Sequence, residues 1–283
     1  MRAPLTKLAR ASGALAMVAV DQREALRGMF AAHQSTPVPD SQLTQFKVDV
    51  ARELSPFASA LLVDQEFGID EIINQKALKG NCGLIAAADL LVGPAGGAAT
   101  DTAIDLDVDP IRMRDIGSVG LKFLVLWRND ESPDSRAKLV EEFNKLCTIS
   151  GLPSIIEIIV KPPTDTSKTF NREEELIIAA REAASWKPDL YKAEVPFHGE
   201  GDLNLVTKNA ERISEAIGSP WVVLSNGVKQ PFFNDAVKAC AMGGASGFLA
   251  GRAVWADIVG AADIPQALRD VSIPRLEQLA KIV

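Results

Sequence analysis

Short apolar runs alternate along the chain with longer stretches whose apolar residues recur every three or four positions, and the alternation repeats eight times. The runs are Leu15 to Val20, Ala58 to Val63, Gly83 to Ala88, Leu121 to Trp127, Ser154 to Val160, Leu190 to Val195, Trp221 to Leu224 and Gly247 to Ala250. Most are nearly continuous rather than alternating, which predicts parallel strands covered on both faces. Between them the helical spacing is plain. Pro133 to Ser150 follows Ser132, an expected N-cap, and stops at Gly151. Asn171 to Trp186 and Gly201 to Ile217 show the same spacing, Pro231 to Met242 opens on proline where a missing N–H is harmless, and a last helix is expected over Ile264 to Ile282. Gly93 to Thr100 and Lys161 to Lys168 read as loops after the third and fifth strands.

Eight β/α units in a chain of this length predict an α/β fold, a single (β/α)8 TIM barrel spanning residues 1–283 as one domain. An open doubly wound sheet is the rival. It usually carries a glycine-rich dinucleotide fingerprint after its first strand, and here that strand runs into Asp21-Gln22-Arg23-Glu24.

A barrel presents its chemistry at the C-terminal ends of its strands, so the polar residues there define the candidate site. Asp21, Gln22 and Arg23 end the first run, Asp64, Gln65 and Glu66 the second, Asp89 the third. Lys122, Glu157 and Lys192 each interrupt an apolar run on a separate strand. Exposure of all three by coincidence is a poor explanation. Burial disfavours the charged form of a lysine, and a free amine in an apolar setting attacks carbonyl carbon. Lys192 and Glu194, two apart on a strand, are expected to point the same way, inward. Ser225-Asn226-Gly227 and the Gly243 to Arg252 segment end the last two runs with small residues whose N–H groups can approach an anion, Arg252 adding charge. Glycine-dependent tight turns explain Gly243 and Gly244 equally well.

Composition narrows the classes. The 283 residues are 47% hydrophobic and 24% charged with a net charge of -7, which gives ample core and argues against a nucleic-acid partner. No apolar run reaches membrane-spanning length. Arg2, Lys7 and Arg10 before Ala14 to Val20 imitate a signal peptide, but the run is short and leads straight into charged residues, so it reads as a first strand. The three spaced cysteines, Cys82, Cys147 and Cys240, read as reduced, buried thiols of a cytoplasmic protein. With only His33 and His198, a three-histidine zinc site is impossible, and Asp105-Leu106-Asp107-Val108-Asp109 reads as a solvated turn before Pro110 rather than a magnesium site. No metal is expected.

These residues together resemble a known family. Arg-Ala-Ser-Gly at 10 to 13, Val-Asp-Gln-Arg-Glu-Ala at 20 to 25, Ser-Pro-Phe-Ala-Ser-Ala at 55 to 60, Leu-Val-Asp-Gln at 62 to 65, Leu-Val-Leu-Trp-Arg at 124 to 128, Ser-Ile-Ile-Glu at 154 to 157, Asp-Leu-Tyr-Lys at 189 to 192 and Ala-Ser-Gly-Phe-Leu-Ala-Gly-Arg-Ala-Val-Trp-Ala at 245 to 256 carry the likeness nearly end to end. The chain is similar to the class I, Schiff-base aldolases of the tagatose-1,6-bisphosphate aldolase family, and within it most like the 6-deoxy-6-sulfofructose-1-phosphate aldolases. Trp127-Arg128 and the last block carry the closer likeness. The resemblance implies that Lys192 forms the Schiff base and Glu157 is the acid/base carboxylate, with Asp21 and Lys122 assisting. It implies that Ser225, Gly227, Gly251 and Arg252 hold a 1-phosphate, and that Gln22, Arg23 and Lys47 face the far end of the substrate, a second phosphate or a sulfonate. Asn226 stands where the sulfosugar enzymes have serine. The partner is then a sugar phosphate or sulfosugar phosphate, with no cofactor, and symmetric homo-oligomer formation is the default expectation. Two other readings stay open: a metal-dependent enzyme on the same barrel, and a sugar-phosphate sensor that binds without turnover.

Overall fold

In the computed structural model, which describes residues 2–283, eight parallel strands close into a barrel in the order β1-β10-β9-β8-β7-β6-β3-β2, each strand bonded to two neighbours. Strands β1 (Leu15–Ala19), β2 (Ala60–Asp64) and β3 (Gly83–Ala87) come first. A two-stranded antiparallel hairpin outside the barrel, β4 (Asp89–Val92) and β5 (Asp101–Ile104), interrupts the series. The barrel resumes with β6 (Ser118–Trp127), β7 (Ser154–Val160), β8 (Leu190–Glu194), β9 (Trp221–Leu224) and β10 (Gly247–Ala250). Each of the eight sequence-expected runs overlaps a barrel strand, and the expected Gly93 to Thr100 loop joins β4 to β5, but the hairpin's two strands are not expected from the sequence. Its strands have four residues each, too short for a periodicity to stand out.

Around the barrel lie α1 (Glu24–Ala31), α2 (Asp40–Leu54), α3 (Asp70–Asn74), α4 (Pro110–Asp115), α5 (Pro133–Ser150), α6 (Arg172–Ser185), α7 (Leu203–Ile217) and α8 (Gln230–Met242), with α9 (Arg252–Trp255), α10 (Ile264–Ala267) and α11 (Ile273–Ala280) after the last strand. Gly151 ends α5 at φ 72°, a left-handed stop open to glycine at little cost. Ser132 occupies the N-cap position there, but its hydroxyl makes no capping bond. The helix expected over Ile264 to Ile282 is broken in two by a π-helical turn, Leu268–Ser272. Pro274, which has no N–H to continue the regular ladder, opens α11 just beyond that turn.

Two apolar layers and one charged layer fill the molecule from outside to centre. The outer core packs helices on strands, for example through the edge-on trio of Phe30, Phe46 and Trp255, whose rings lie 5.5 and 5.3 Å apart in sequence. Inside the barrel, Leu15, Met17, Ala60, Leu62, Ile85, Ile155, Leu190, Val222 and Leu249 form an apolar plug at the N-terminal end, joined from below by Leu8. Burying one such side chain contributes about 1.5–3 kcal/mol, so the plug stabilises closure and seals that end. No helix is long and apolar enough to cross a membrane among the described residues. Cys82, Cys147 and Cys240 are all buried and unbridged, and burial pushes each thiol up to about 12.

Candidate active site

Directly above the plug the inward-facing positions turn from apolar to charged. Residues two apart on a strand face one side, so Ile155 in the plug is followed inward by Glu157, and Leu190 by Lys192. The parallel register sets Glu157 opposite Lys192 on adjacent strands. On the other flank, Lys122 of β6 rises from the level of Ile155, its register partner on β7. Glu157 Oε2 lies 2.9 Å from Lys192 Nζ and 2.8 Å from Lys122 Nζ, so one carboxylate oxygen serves two ammonium groups. Lys122 Nζ also lies 2.8 Å from Asp21 Oδ2 and 3.0 Å from Asp89 Oδ2.

Burial penalises charge in this layer, and for Lys122, Glu157 and Asp21 the attractions together more than offset it. Lys122 is held well above the ordinary lysine range because Asp21, Asp89 and Glu157 surround it, against the desolvation that pulls it down. Glu157 sits below the usual carboxylate range: burial raises it, but Lys122 and then Lys192 lower it further. Asp21 is depressed for the same reason, with Lys122 the largest of the attractions. Asp89 further anchors the layer by accepting the N–H of Leu124 at 2.9 Å.

A cavity opens from this charged floor toward the C-terminal ends of the strands. Asp21, Lys122, Glu157 and Lys192 line it at depth, and Gln22, Ser225, Gly251 and Arg252 line it nearer the rim. Ser225 Oγ accepts the Gly251 N–H at 3.3 Å, and the Arg252 guanidinium donates to Asn226 Oδ1. Asn226 in turn donates to Glu194 Oε1 at 3.2 Å. Glu194 lies one level above Lys192 and is fixed by the Val160 N–H at 2.8 Å and by Arg172 at 3.3 Å. Between floor and rim runs an apolar collar of Leu124, Leu126, Ile159 and Leu224, against which Leu91 and Ala99 of the hairpin pack.

Three sequence-expected contacts do not border the cavity. Arg23 is only 4% exposed and points between β2 and β3, 3.8 Å from Asp64, 3.7 Å from Glu66 and 3.7 Å from Asp89, and it donates to the Asp89 carbonyl at 2.7 Å. Lys47, fully enclosed, is paired with Asp64 and donates to the Gln22 carbonyl at 2.9 Å. Asp64 draws both, and Arg23 also reaches Asp89, whose other oxygen lies against Lys122, so both are paired outside the cavity lining. Gly227, at φ 76°, turns its Cα toward the His198 ring, which a Cβ would meet at 2.4 Å. It is a turn glycine. Neither histidine borders the cavity, and Asp109 caps α4 by accepting the Ile111 N–H at 2.8 Å, as the solvated-turn reading expects.

The structure adds lining residues that the sequence reading left out: Leu91, Ala98 and Ala99 from the hairpin, the collar and Lys161. Lys161 carried a signal. It continues the inward parity of Glu157 and Ile159 past the end of the apolar run. Among the described residues, no group of three or more His, Cys, Asp or Glu side chains is arranged to hold a metal ion.

Comparison with known proteins accords with this geometry. A family model described as DeoC/LacD family aldolase matches residues 15–257. The chain is 28% identical to a tagatose 1,6-diphosphate aldolase of Streptococcus agalactiae over 309 residues, covering 99% of this chain and 94% of the relative. It is 28% identical to the tagatose 1,6-diphosphate aldolase of Streptococcus pneumoniae over 315 residues, covering 100% and 94%. Among solved structures, an archaeal fructose 1,6-bisphosphate aldolase superposes with a TM-score of 0.65 at 16% identity, covering 99% and 97% of the two chains. A Schiff base forming fructose-1,6-bisphosphate aldolase does so at 0.63 and 14%, covering 99% and 98%. At these identities the structural likeness is one of fold.

Proposed function

This chain belongs to the DeoC/LacD family of aldolases, and we propose that it cleaves a ketose 1-phosphate through a Schiff base on Lys192. The observation that carries the reading is the single oxygen of Glu157 held within 2.9 Å of Lys192 and 2.8 Å of Lys122 at the floor of the cavity. A nucleophilic amine needs a neighbouring group that takes its proton and returns it to the departing oxygen, and Glu157 is so placed.

In this mechanism Lys192 Nζ adds to the C2 carbonyl, and loss of water leaves an iminium that draws electrons from C3. Glu157 takes the C4 hydroxyl proton as the C3–C4 bond breaks. The aldehyde departs, the electron pair remains as an enamine, and protonation at C3 followed by hydrolysis releases dihydroxyacetone phosphate and the free amine. Lys122 stays charged, held by Asp21 and Asp89, and balances the charge that moves on and off Glu157. Ser225, Gly251 and Arg252 receive the 1-phosphate at the rim.

For the whole substrate we favour 6-deoxy-6-sulfofructose 1-phosphate, giving 3-sulfolactaldehyde as the aldehyde. The support is the likeness of Trp127-Arg128 and the 245 to 256 block to the sulfosugar enzymes. Tagatose 1,6-bisphosphate is the second reading, supported by the names of the relatives at 28% identity.

Borohydride reduction in the presence of substrate, followed by peptide mass analysis, tests the chemistry. An adduct on the peptide bearing Lys192, absent from Lys192→Ala, is expected, together with turnover indifferent to chelator. Full activity in that variant rejects the assignment. Competing turnover of the two substrates tests the finer reading, and equal rates would sink the sulfosugar preference.

A further inference from the structure

Four cations and two carboxylates line the cavity: Lys122, Lys161, Lys192 and Arg252 against Asp21 and Glu157. Lys122 and Lys192 are compensated at the floor by carboxylates within 3.0 Å. Among the described residues Lys161 and Arg252 have no carboxylate partner, so the surplus positive charge stands at two places on the rim. The barrel order puts β8, which carries Lys192, next to β7 on the Lys161 side, with β9 between β8 and β10 on the Arg252 side. The two uncompensated cations therefore flank the Schiff-base lysine. Adjacent strands are about 4.8 Å apart, so three steps put about 14 Å of wall between β7 and β10, a spacing on the scale of an extended six-carbon sugar with a charge at each end.

We propose that Lys161 is the residue that receives the anionic far end of the substrate and selects for it. The inference rests on the aldolase reading and supplies what Arg23 and Lys47 were expected to supply. Those two are paired with Asp64, Glu66 and Asp89, and neither lines the cavity. Lys161 does line it. Its main-chain N–H donates to the Trp127 carbonyl at 2.8 Å, extending the β6–β7 ladder one residue past Val160, so strand parity holds its side chain on the same face as Glu157 and Ile159. Four residues of strand put it about 13 Å along β7 from Glu157, toward the mouth.

The two ends of the cavity differ in kind. Arg252 sits with the Ser225 hydroxyl and the Gly251 N–H, several donors for a phosphate. Lys161 stands just above Leu126 and Ile159 of the apolar collar, a single charge over apolar walls. One cation neutralises one negative charge, and a second charge over that collar would be desolvated without a partner. The Lys161 end therefore suits a singly charged, weakly hydrated group such as a sulfonate better than a phosphate dianion.

The test is kcat/KM for wild type, Lys161→Gln and Lys161→Arg with three ketose 1-phosphates bearing a sulfonate, a phosphate or a hydroxyl at C6. Lys161→Gln is expected to lower the ratio of sulfonate-tailed to hydroxyl-tailed kcat/KM by about tenfold to a hundredfold, mainly through KM, and Lys161→Arg to restore most of it. A parallel loss on both substrates, which a merely structural role would give, overturns the proposal, as does an unchanged ratio. A wild-type preference for phosphate over sulfonate overturns its charge-matching part. Borohydride trapping of wild type with the hydroxyl-tailed substrate separates the two levels. With an adduct and no change in ratio, only the Lys161 role falls; with no adduct, the aldolase reading falls and takes this inference with it.

Discussion

Lys47 and Lys192 are both buried lysines, 0% and 4% exposed, and each lies against a carboxylate on a barrel strand. Lys47 lies outside the strands on α2, where Asp64, the Gln22 carbonyl and the Phe67 ring 5.7 Å away surround its ammonium group. Lys192 lies inside, where its carboxylate is shared with Lys122 and an open cavity reaches it. Burial and pairing are common to both. Under the proposed mechanism, what separates a structural lysine from a reactive one is a divided partner and a path for a carbonyl.

Substituting each lysine by methionine breaks the comparison most directly. Lys192→Met should lower kcat on the order of 10^4-fold or more while leaving the fold standing, because Lys122 still compensates Glu157. Lys47→Met should instead lower stability by about 3–5 kcal/mol, because Asp64 is left buried beside its pair partner's vacant place. Chemical denaturation checks the second, and a Lys47 variant with unaltered stability would show that Asp64 is satisfied by Arg23 alone. Glu157→Gln sharpens the point about the shared carboxylate. It keeps the shape and removes the base, so kcat should fall about 10^2- to 10^4-fold with the pH profile losing its acidic limb.

The smallest effect is on pH stability. Glu157 and Asp21 titrate below their ordinary values of 4.5 and 3.8 because burial, the largest single cause and a raising one, is outweighed by Lys122 and Lys192 acting together. A depressed carboxylate stabilises the folded state above its unfolded value, and that contribution is lost only as pH falls toward the folded one. Lys122 is raised above 10.5, so its contribution is complete below that value and is lost in stronger alkali. The cluster thus adds stability near neutrality that acid removes, and Lys122→Met, which lets burial raise both carboxylates, should lower Tm near neutral pH and flatten the acid limb of a Tm-against-pH curve. An acid limb as steep as in wild type would assign that acid sensitivity elsewhere.

The strands were legible because parallel strands buried on both faces leave continuous apolar runs, and the floor of the site was legible because Lys122, Glu157 and Lys192 broke those runs. Lys47 shows where the reading failed and how it could have succeeded. It falls at helical spacing among Leu43, Phe46, Val50, Ala51 and Leu54, on the buried stripe of α2, which points a side chain at the back of the strands and away from their ends. Arg23 gave no such local sign, since its partners Asp64 and Asp89 come from two other strands and pairing across strands is invisible in one dimension. The cavity collar was hidden for the opposite reason. Leu124, Leu126 and Ile159 look like any core residues until the hairpin closes over them.

That hairpin has a ladder of its own, separate from the barrel's, and is tied to the barrel side at its base through Asp89, yet it supplies Leu91 and Ala99 to the cavity wall. Its tip can therefore lengthen, shorten or change sequence without shifting the register of any barrel strand. Evolution, or an engineer, has in it a movable partition: the chamber can be resized for a longer or shorter sugar while the chemistry beneath stays as it is.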